Sequence, residues 1–286
     1  MGADLLRALL IAAALAVTLA HFVMEPLRWN CCYLPSNAPP PVRAGVRDAM
    51  FCTAFATYVL PFKLGIPLRM VLLRRSGGFT LHFLTMVIAL DGAFSLGIWL
   101  ALAGLSAWLV ALHWEINWHV IVGFAMVGAI VLCGLLLLHG RSGASLHKLR
   151  EAAVLLDRPW RRGTFSVLIL AIDVLSYGLR HALILYLVTN TTQLMLFGGA
   201  IGIVATFAGI ASGLPMGLLG YDASLIALLA LANVPPEQAV AVALANRALN
   251  LISAALLGIP AAMRLGLGSG VRAIMKRLRE IGDERP

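Results

Sequence analysis

Charge is what this sequence has least of. Asp, Glu, Lys and Arg make up 12% of its 286 residues, against about 25% in an ordinary soluble domain, while 60% are hydrophobic and mean hydropathy is +0.90. No soluble domain of useful size can be cut from such a chain. Also missing are ~10-residue segments of alternating polar and apolar side chains, which excludes a β-barrel. Cysteine is sparse, and Cys31, Cys32, Cys52 and Cys133 offer no paired CxxC spacing, so neither a metal site nor a structural disulfide is expected. There is no metal-spaced His/Glu/Cys set, no GxSxG elbow and no phosphate-binding P-loop. The expectation is therefore a protein that is not an enzyme and uses no cofactor.

What is present in quantity is apolar sequence, in runs long enough to cross hydrocarbon. The fold class this predicts is an all-α polytopic membrane protein, a single integral membrane domain over residues 1–286. About five spanning helices are expected: Leu5 to Met24, Thr80 to Leu105, His119 to Leu138, Thr164 to Thr189 and Glu237 to Ala262. The first is too long for a signal-peptide core, and Asp4 spoils the basic segment that should precede one. After it, Glu25 to Asp48 contains Pro35, Pro39, Pro40 and Pro41 and reads as a loop. Two further apolar regions, residues 49–75 and 194–234, are interrupted at Leu60-Pro61-Phe62-Lys63-Leu64-Gly65 and at Gly213 to Gly220, where proline and glycine end helices.

The net charge of +9 suggests nucleic acid until the positions are read. Nineteen of the 22 basic residues fall in four groups: Arg28, Arg43 and Arg47; Lys63, Arg69, Arg74 and Arg75; six in the loop 139–163; and six in the tail 263–286. The connections Ser106 to Trp118 and Asn190 to Gln193 carry none. Under the positive-inside rule the basic segments are cytoplasmic, and no nucleic-acid partner is expected. The tail is expected either to lie on anionic lipid as a short amphipathic helix or to be solvated. Parity then makes residues 49–75 enter and return from the inside and 194–234 from the outside, as two oppositely oriented re-entrant hairpins. Such broken helices are tolerated only around a buried site or a cavity. Pro61 precedes Asp91 by 30 residues and Pro215 precedes Arg247 by 32, each across a short helix and into a long one, which reads as an inverted repeat.

Ionisable residues at membrane depth are expensive, so each is a candidate for function. Here they are Lys63, Arg69, Asp91, Asp173, Arg180, His181, Asp222 and Arg247. Asp173, Tyr177 and Arg180 share one helical face, and Asn246, Asn250 and Ser253 share another beside Arg247. The helices after Pro61 and Pro215, the second with Gly217 and Gly220 in its break, would aim amide N–H groups at an anionic head group. Arg69, Arg180 and Arg247 would add charge-assisted bonds to phosphate. Asp91 and Arg247 have an alternative, a structural ion pair with each other. His181 is the histidine singled out as a proton carrier.

Three segments resemble the transmembrane region of lysylphosphatidylglycerol synthases and the stand-alone flippase-like proteins related to it. Leu27-Arg28-Trp29 is similar to that family's Arg-Trp helix exit. Leu60 to Arg69 resembles its proline, glycine-glutamate and arginine segment, with Ile66 in place of the glutamate. Leu214 to Ser224 with Arg247 resembles a Pro-Gly-Gly-x-Gly-x-Glu hairpin and the arginine of the next helix, with Asp222 near the position of the glutamate. Of the family's Glu-Arg-Asp set before and within the helix, Asp91 alone has a counterpart. The resemblance implies a lipid translocator of the inner membrane, its amino terminus outside and its carboxyl terminus cytoplasmic. The cargo it implies is a membrane lipid with an anionic or glycosylated head, such as an anionic phospholipid or a polyprenyl-linked lipid. No aminoacyl-transferase domain is recognisable in these residues, so lipid aminoacylation is not implied. A transporter of a small soluble anion or amino-acid-like solute, and an accessory subunit of a lipid or glycan synthesis complex, are the alternatives.

Overall fold

The computed structural model describes residues 2–59, 65–113, 159–211 and 220–267. Among them are eight α-helices and no strand: α1 (Gly2–Arg28), α2 (Pro40–Val59), α3 (Gly65–Gly77), α4 (Leu81–His113), α5 (Pro159–Thr189), α6 (Thr192–Ala211), α7 (Gly220–Leu231) and α8 (Pro236–Arg264). Four segments are long and apolar enough to cross a membrane, Asp4–Tyr33, Leu81–Leu112, Arg161–Thr189 and Pro236–Arg264. They correspond to four of the five expected spans. The fifth, His119 to Leu138, lies outside the described residues, as do the loop 139–163 up to residue 158, the tail beyond residue 267, Lys63, Cys133, Pro215 and Gly217.

The side chains are sorted in the sense lipid requires, apolar outward and polar inward. On α5, Phe165, Leu168, Ile172, Leu175 and Leu179 form an exposed stripe at helical spacing, while Val174, Tyr177, Arg180, His181 and Ile184 are buried. On α8 the exposed side carries Leu244, Leu251, Leu256 and Met263, and the buried side carries Asn246, Asn250, Ser253 and Ala254. With hydrocarbon outside, an apolar outer face costs nothing, and each polar group must find its partner in the bundle. The protein is a polytopic helical membrane protein.

The two broken regions are helical hairpins. The described residues of 49–75 fall in α2 and α3, which pack against each other, and a Cβ on Gly45 would lie 2.9 Å from Ser76 Cβ, so the hairpin's two outer ends meet. The described residues of 194–231 fall in α6 and α7, with Gly209 near the end of one against Tyr221 at the start of the other. At 13 and 12 residues α3 and α7 reach about 20 and 18 Å, short of the ~30 Å hydrocarbon core.

The expected loop from Glu25 to Asp48 is corrected to a short one. The first helix carries Pro26 within it and continues to Arg28, a single π turn follows over Trp29–Tyr33, and α2 already begins at Pro40. An interior proline such as Pro26 costs a helix one backbone bond without necessarily ending it, and a proline in the first turn costs none, because the missing N–H there has no partner to lose. The connection at residues 34–39 is held by cations: Arg43 donates to the carbonyls of Asn30, Ser36 and Ala38, and Arg162 donates to Leu34 O at 2.9 Å and Ser36 Oγ at 2.8 Å.

Exchanging α1 with α5, α2 with α6, α3 with α7 and α4 with α8 maps the principal contacts onto themselves. The packing of α2 on α8 becomes that of α6 on α4, α2 on α3 becomes α6 on α7, and α1 on α5 is its own image. This is the packing a repeat predicts. One departure has a local cause. The α5–α6 contact is much closer than α1–α2, because Gly178, Gly198, Gly199 and Gly202 leave the backbones almost touching, with a Cβ on Gly199 only 3.2 Å from Gly178 O.

Candidate functional site: a polar cluster inside the bundle

One face of α1 carries His21, Glu25 and Arg28, spaced by four and three residues on an otherwise apolar helix. Each reaches a different helix. His21 Nδ1 donates to Asp173 Oδ1 of α5 at 2.6 Å; Glu25 Oε1 accepts from Arg69 Nη1 of α3 at 2.6 Å; Arg28 Nη2 meets Asp91 Oδ1 of α4 at 2.9 Å. Arg28 also donates to Ser95 Oγ at 3.2 Å. Arg28 and Asp91 are both under 10% exposed, so each charge is held by its partner rather than by solvent. The expectation that Arg28 is an orienting, loop-side cation is therefore corrected: it is a buried ligand of Asp91, because helix continues past Pro26 and carries it inward.

On the other side of the cluster Arg247 of α8 makes a two-pronged pair with Asp222 of α7, Nε to Oδ1 at 2.9 Å and Nη2 to Oδ2. Asp91 and Arg247 do not pair with each other. Each has a nearer partner, Arg28 and Asp222, that reaches it in a geometry a carboxylate and guanidinium favour.

Arg180 is different. It is fully buried, and none of its described partners is a carboxylate. Its Nε donates to Asn246 Oδ1 at 3.2 Å and its Nη1 to Asn250 Oδ1 at 2.5 Å, while its Cζ lies 3.8 Å from the centroid of the Tyr177 ring. Nη2 is buried with no hydrogen-bond partner among the described residues, and so is Ser253 Oγ one turn beyond Asn250. Asn246 is itself oriented by donating Nδ2 to Val242 O at 3.0 Å. The two polar faces read from the sequence of α5 and α8 thus meet, with neutral amides and an aromatic face around a whole positive charge. Asn and Tyr stabilise a guanidinium by dipole and quadrupole and leave its net charge uncompensated.

His181 lies beside this site and is used structurally. Its Nδ1 donates to Tyr177 O at 2.8 Å, and its Nε2 lies 2.7 Å from the Tyr221 hydroxyl. These two bonds tie α5 to α7. Gly202 of α6 leaves room for its ring, since a Cβ there would collide with it.

Of the residues expected at a site, Asp173, Arg180, Asn246, Asn250, Asp222, Arg247, Arg69 and Asp91 all occur in these pairs, and Gly220 begins α7 just before Asp222. Sequence reasoning missed His21 and Glu25. The available signal was their helical spacing from Arg28, hidden by ending the first span at Met24. A separate cleft of about 260 Å³ opens at the basic end, lined by Gly45, Leu72, Arg75, Ser76, Arg264 and Leu265, with Arg264 held by Asp48 at 2.9 and 3.0 Å.

A family model, the lysylphosphatidylglycerol synthase TM region, matches residues 3–258. The chain belongs to this family. Residues 3–258 of this lysylphosphatidylglycerol synthase TM-region protein contain both hairpins and every ion pair of the central cluster. No curated protein and no solved structure matches the chain.

Proposed function

We propose that this protein is a flippase-like translocator of the inner membrane. It moves a lipid with an anionic head group between leaflets and carries out no covalent chemistry. The observation that carries the reading is Arg180, a fully buried guanidinium with neutral partners and an unsatisfied Nη2. A charge in a low-dielectric interior is retained only if something compensates it, and every other guanidinium of the cluster has a carboxylate. Phosphate is the matching counter-ion, since it accepts from a planar guanidinium fork and from the neighbouring amide N–H groups at once. An anionic phospholipid and a polyprenyl-linked lipid both offer that group.

The two hairpins supply the route in this reading. Their short arms α3 and α7 carry Arg69 and Asp222, each tied by one ion pair to a long helix, so the pairs can open and close access from either leaflet while the lipid tails stay outside. The amino terminus is outside and the carboxyl terminus inside, which puts the basic end with Arg43, Arg162 and Arg264 in the cytoplasm.

The test is leaflet exchange of labelled anionic phospholipid and labelled polyprenyl-phosphate lipid in proteoliposomes. Exchange of at least one class above that of protein-free vesicles, and its loss in Arg180→Gln, is the expected result. No exchange of either class by folded protein would sink the proposal.

A further inference from the structure

We propose that the head-group site binds its anion together with one proton, held by the His21–Asp173 pair, so that a monoanion and a proton occupy the cluster as a neutral set; this rests on the reading of Arg180 as the head-group site. Among the described residues the cluster contains four guanidiniums, Arg28, Arg69, Arg180 and Arg247, and four carboxylates, Glu25, Asp91, Asp173 and Asp222. Three of each are matched in ion pairs. The two left over are Arg180 and Asp173, and no ion pair joins them. Tyr177 touches both sides: its ring carries Arg180 Cζ at 3.8 Å and packs edge-on against His21, the partner of Asp173, at 4.9 Å between centroids.

The charge state of His21 therefore decides what Arg180 can hold. With His21 neutral, the four carboxylates equal the four guanidiniums in number, and an added anion would leave the cluster with a net negative charge in a low-dielectric interior. With His21 protonated, Asp173 has its own cation at 2.6 Å and Arg180 is left uncompensated. An anion then restores neutrality. Proton uptake at His21 and anion binding at Arg180 favour each other, and by linkage the effect is reciprocal. Histidine suits this role because its charge changes between about pH 5 and 8.

Glu25, one turn along α1 from His21, is bound to Arg69. Further along α1, Arg28 is bound to Asp91 of α4. On α5 the groups facing His21 are Asp173, Tyr177, Arg180 and His181, the last bonded to Tyr177 O and the Tyr221 hydroxyl. On α2 there is Tyr58, which packs edge-on against Phe22 at 6.1 Å. On α8 there are Asn246 and Asn250, bound to Arg180, and Arg247, bound to Asp222. The π turn brings Trp29 and Tyr33 and no charge. His21 and Asp173 keep 20% and 14% of their side-chain surface exposed, while Arg180 is sealed. One free positive charge selects a monoanionic phosphodiester head over a dianionic phosphomonoester, which would need a second.

The test uses the full chain in proteoliposomes, with fluorescent phosphatidylglycerol as the monoanion and a polyprenyl monophosphate as the dianion, at equal pH on both sides. For phosphatidylglycerol below saturation, exchange should fall by up to about tenfold per pH unit above the midpoint, the slope of one linked proton. His21→Gln and Asp173→Asn should flatten that slope, and an imposed pH gradient should accumulate the lipid in one leaflet. A flat profile in the unaltered protein with exchange intact overturns the coupling and leaves the head-group reading standing. The same slope in His21→Gln also overturns it, and polyprenyl monophosphate exchanging faster than phosphatidylglycerol overturns the charge selection. No exchange of any lipid at any pH overturns both readings. The profile of the unaltered protein decides even if a variant fails to fold.

Discussion

Arg180 and Arg247 look alike in the sequence, each an arginine well inside an apolar helix, yet their surroundings separate them. Arg247 is about a quarter exposed and saturated by Asp222, whereas Arg180 is sealed and has neutral partners. Arg180→Gln should lower exchange of an anionic lipid by roughly 10- to 100-fold, the equivalent of one lost charge-assisted bond of ~1.5–3 kcal/mol, with little loss of thermal stability because it also removes an uncompensated charge. Exchange kinetics and melting of the same purified variant check both halves. Arg247→Gln and Asp222→Asn should each destabilise the protein. Combining them should cost less than the sum, with a coupling of about 1 kcal/mol in a double-mutant cycle followed by thermal unfolding in detergent. Strict additivity would mean that the pair does not tie α7 to α8. Most of these residues were legible beforehand, because charge at membrane depth is rare enough to stand out. Their partners were not, since pairing joins residues as distant as Arg28 and Asp91 or His21 and Asp173, and nothing local specifies which carboxylate a guanidinium will meet.

At the scale of elements, the breaks in α2–α3 and α6–α7 were readable because proline and glycine clustered together disfavour continuous helix. The start of α2 was not, since Pro39, Pro40 and Pro41 are equally at home in a loop and in a first helical turn. Helix contacts depended on features only spacing in three dimensions reveals. Gly178, Gly198, Gly199 and Gly202 look like ordinary small residues of an apolar sequence, but they let α5 and α6 approach closely. Gly202→Ala should destabilise the protein by about 1–3 kcal/mol, the range for forcing a methyl into a filled interior, because the new Cβ meets the His181 ring. Gly104→Ala, where nothing lies within 4 Å, should be neutral or slightly stabilising. Comparing the two variants by thermal unfolding checks this, and equal effects would argue against close α5–α6 packing.

At the scale of the whole molecule, the described basic residues Arg43, Arg162, Arg264 and Arg75 gather at one end, around the residue 34–39 loop and the nearby cleft. Cysteines replacing Ser36 and Arg264 should therefore be labelled by an impermeant thiol reagent from the same face of the membrane, and one replacing Thr191 from the opposite face. Labelling of Ser36→Cys and Arg264→Cys from different faces would contradict the bundle. That the chain is helical and embedded in lipid follows from composition and run length alone, because hydrocarbon admits no unpaired backbone and demands long apolar spans. So do the two breaks and the identity of most costly charges. The pairing of those charges came from the fold, and with it the distinction between arginines paired with carboxylates and Arg180, whose described partners are neutral. Compensation of a buried charge depends on distance across helices, a quantity that a linear order of residues does not contain.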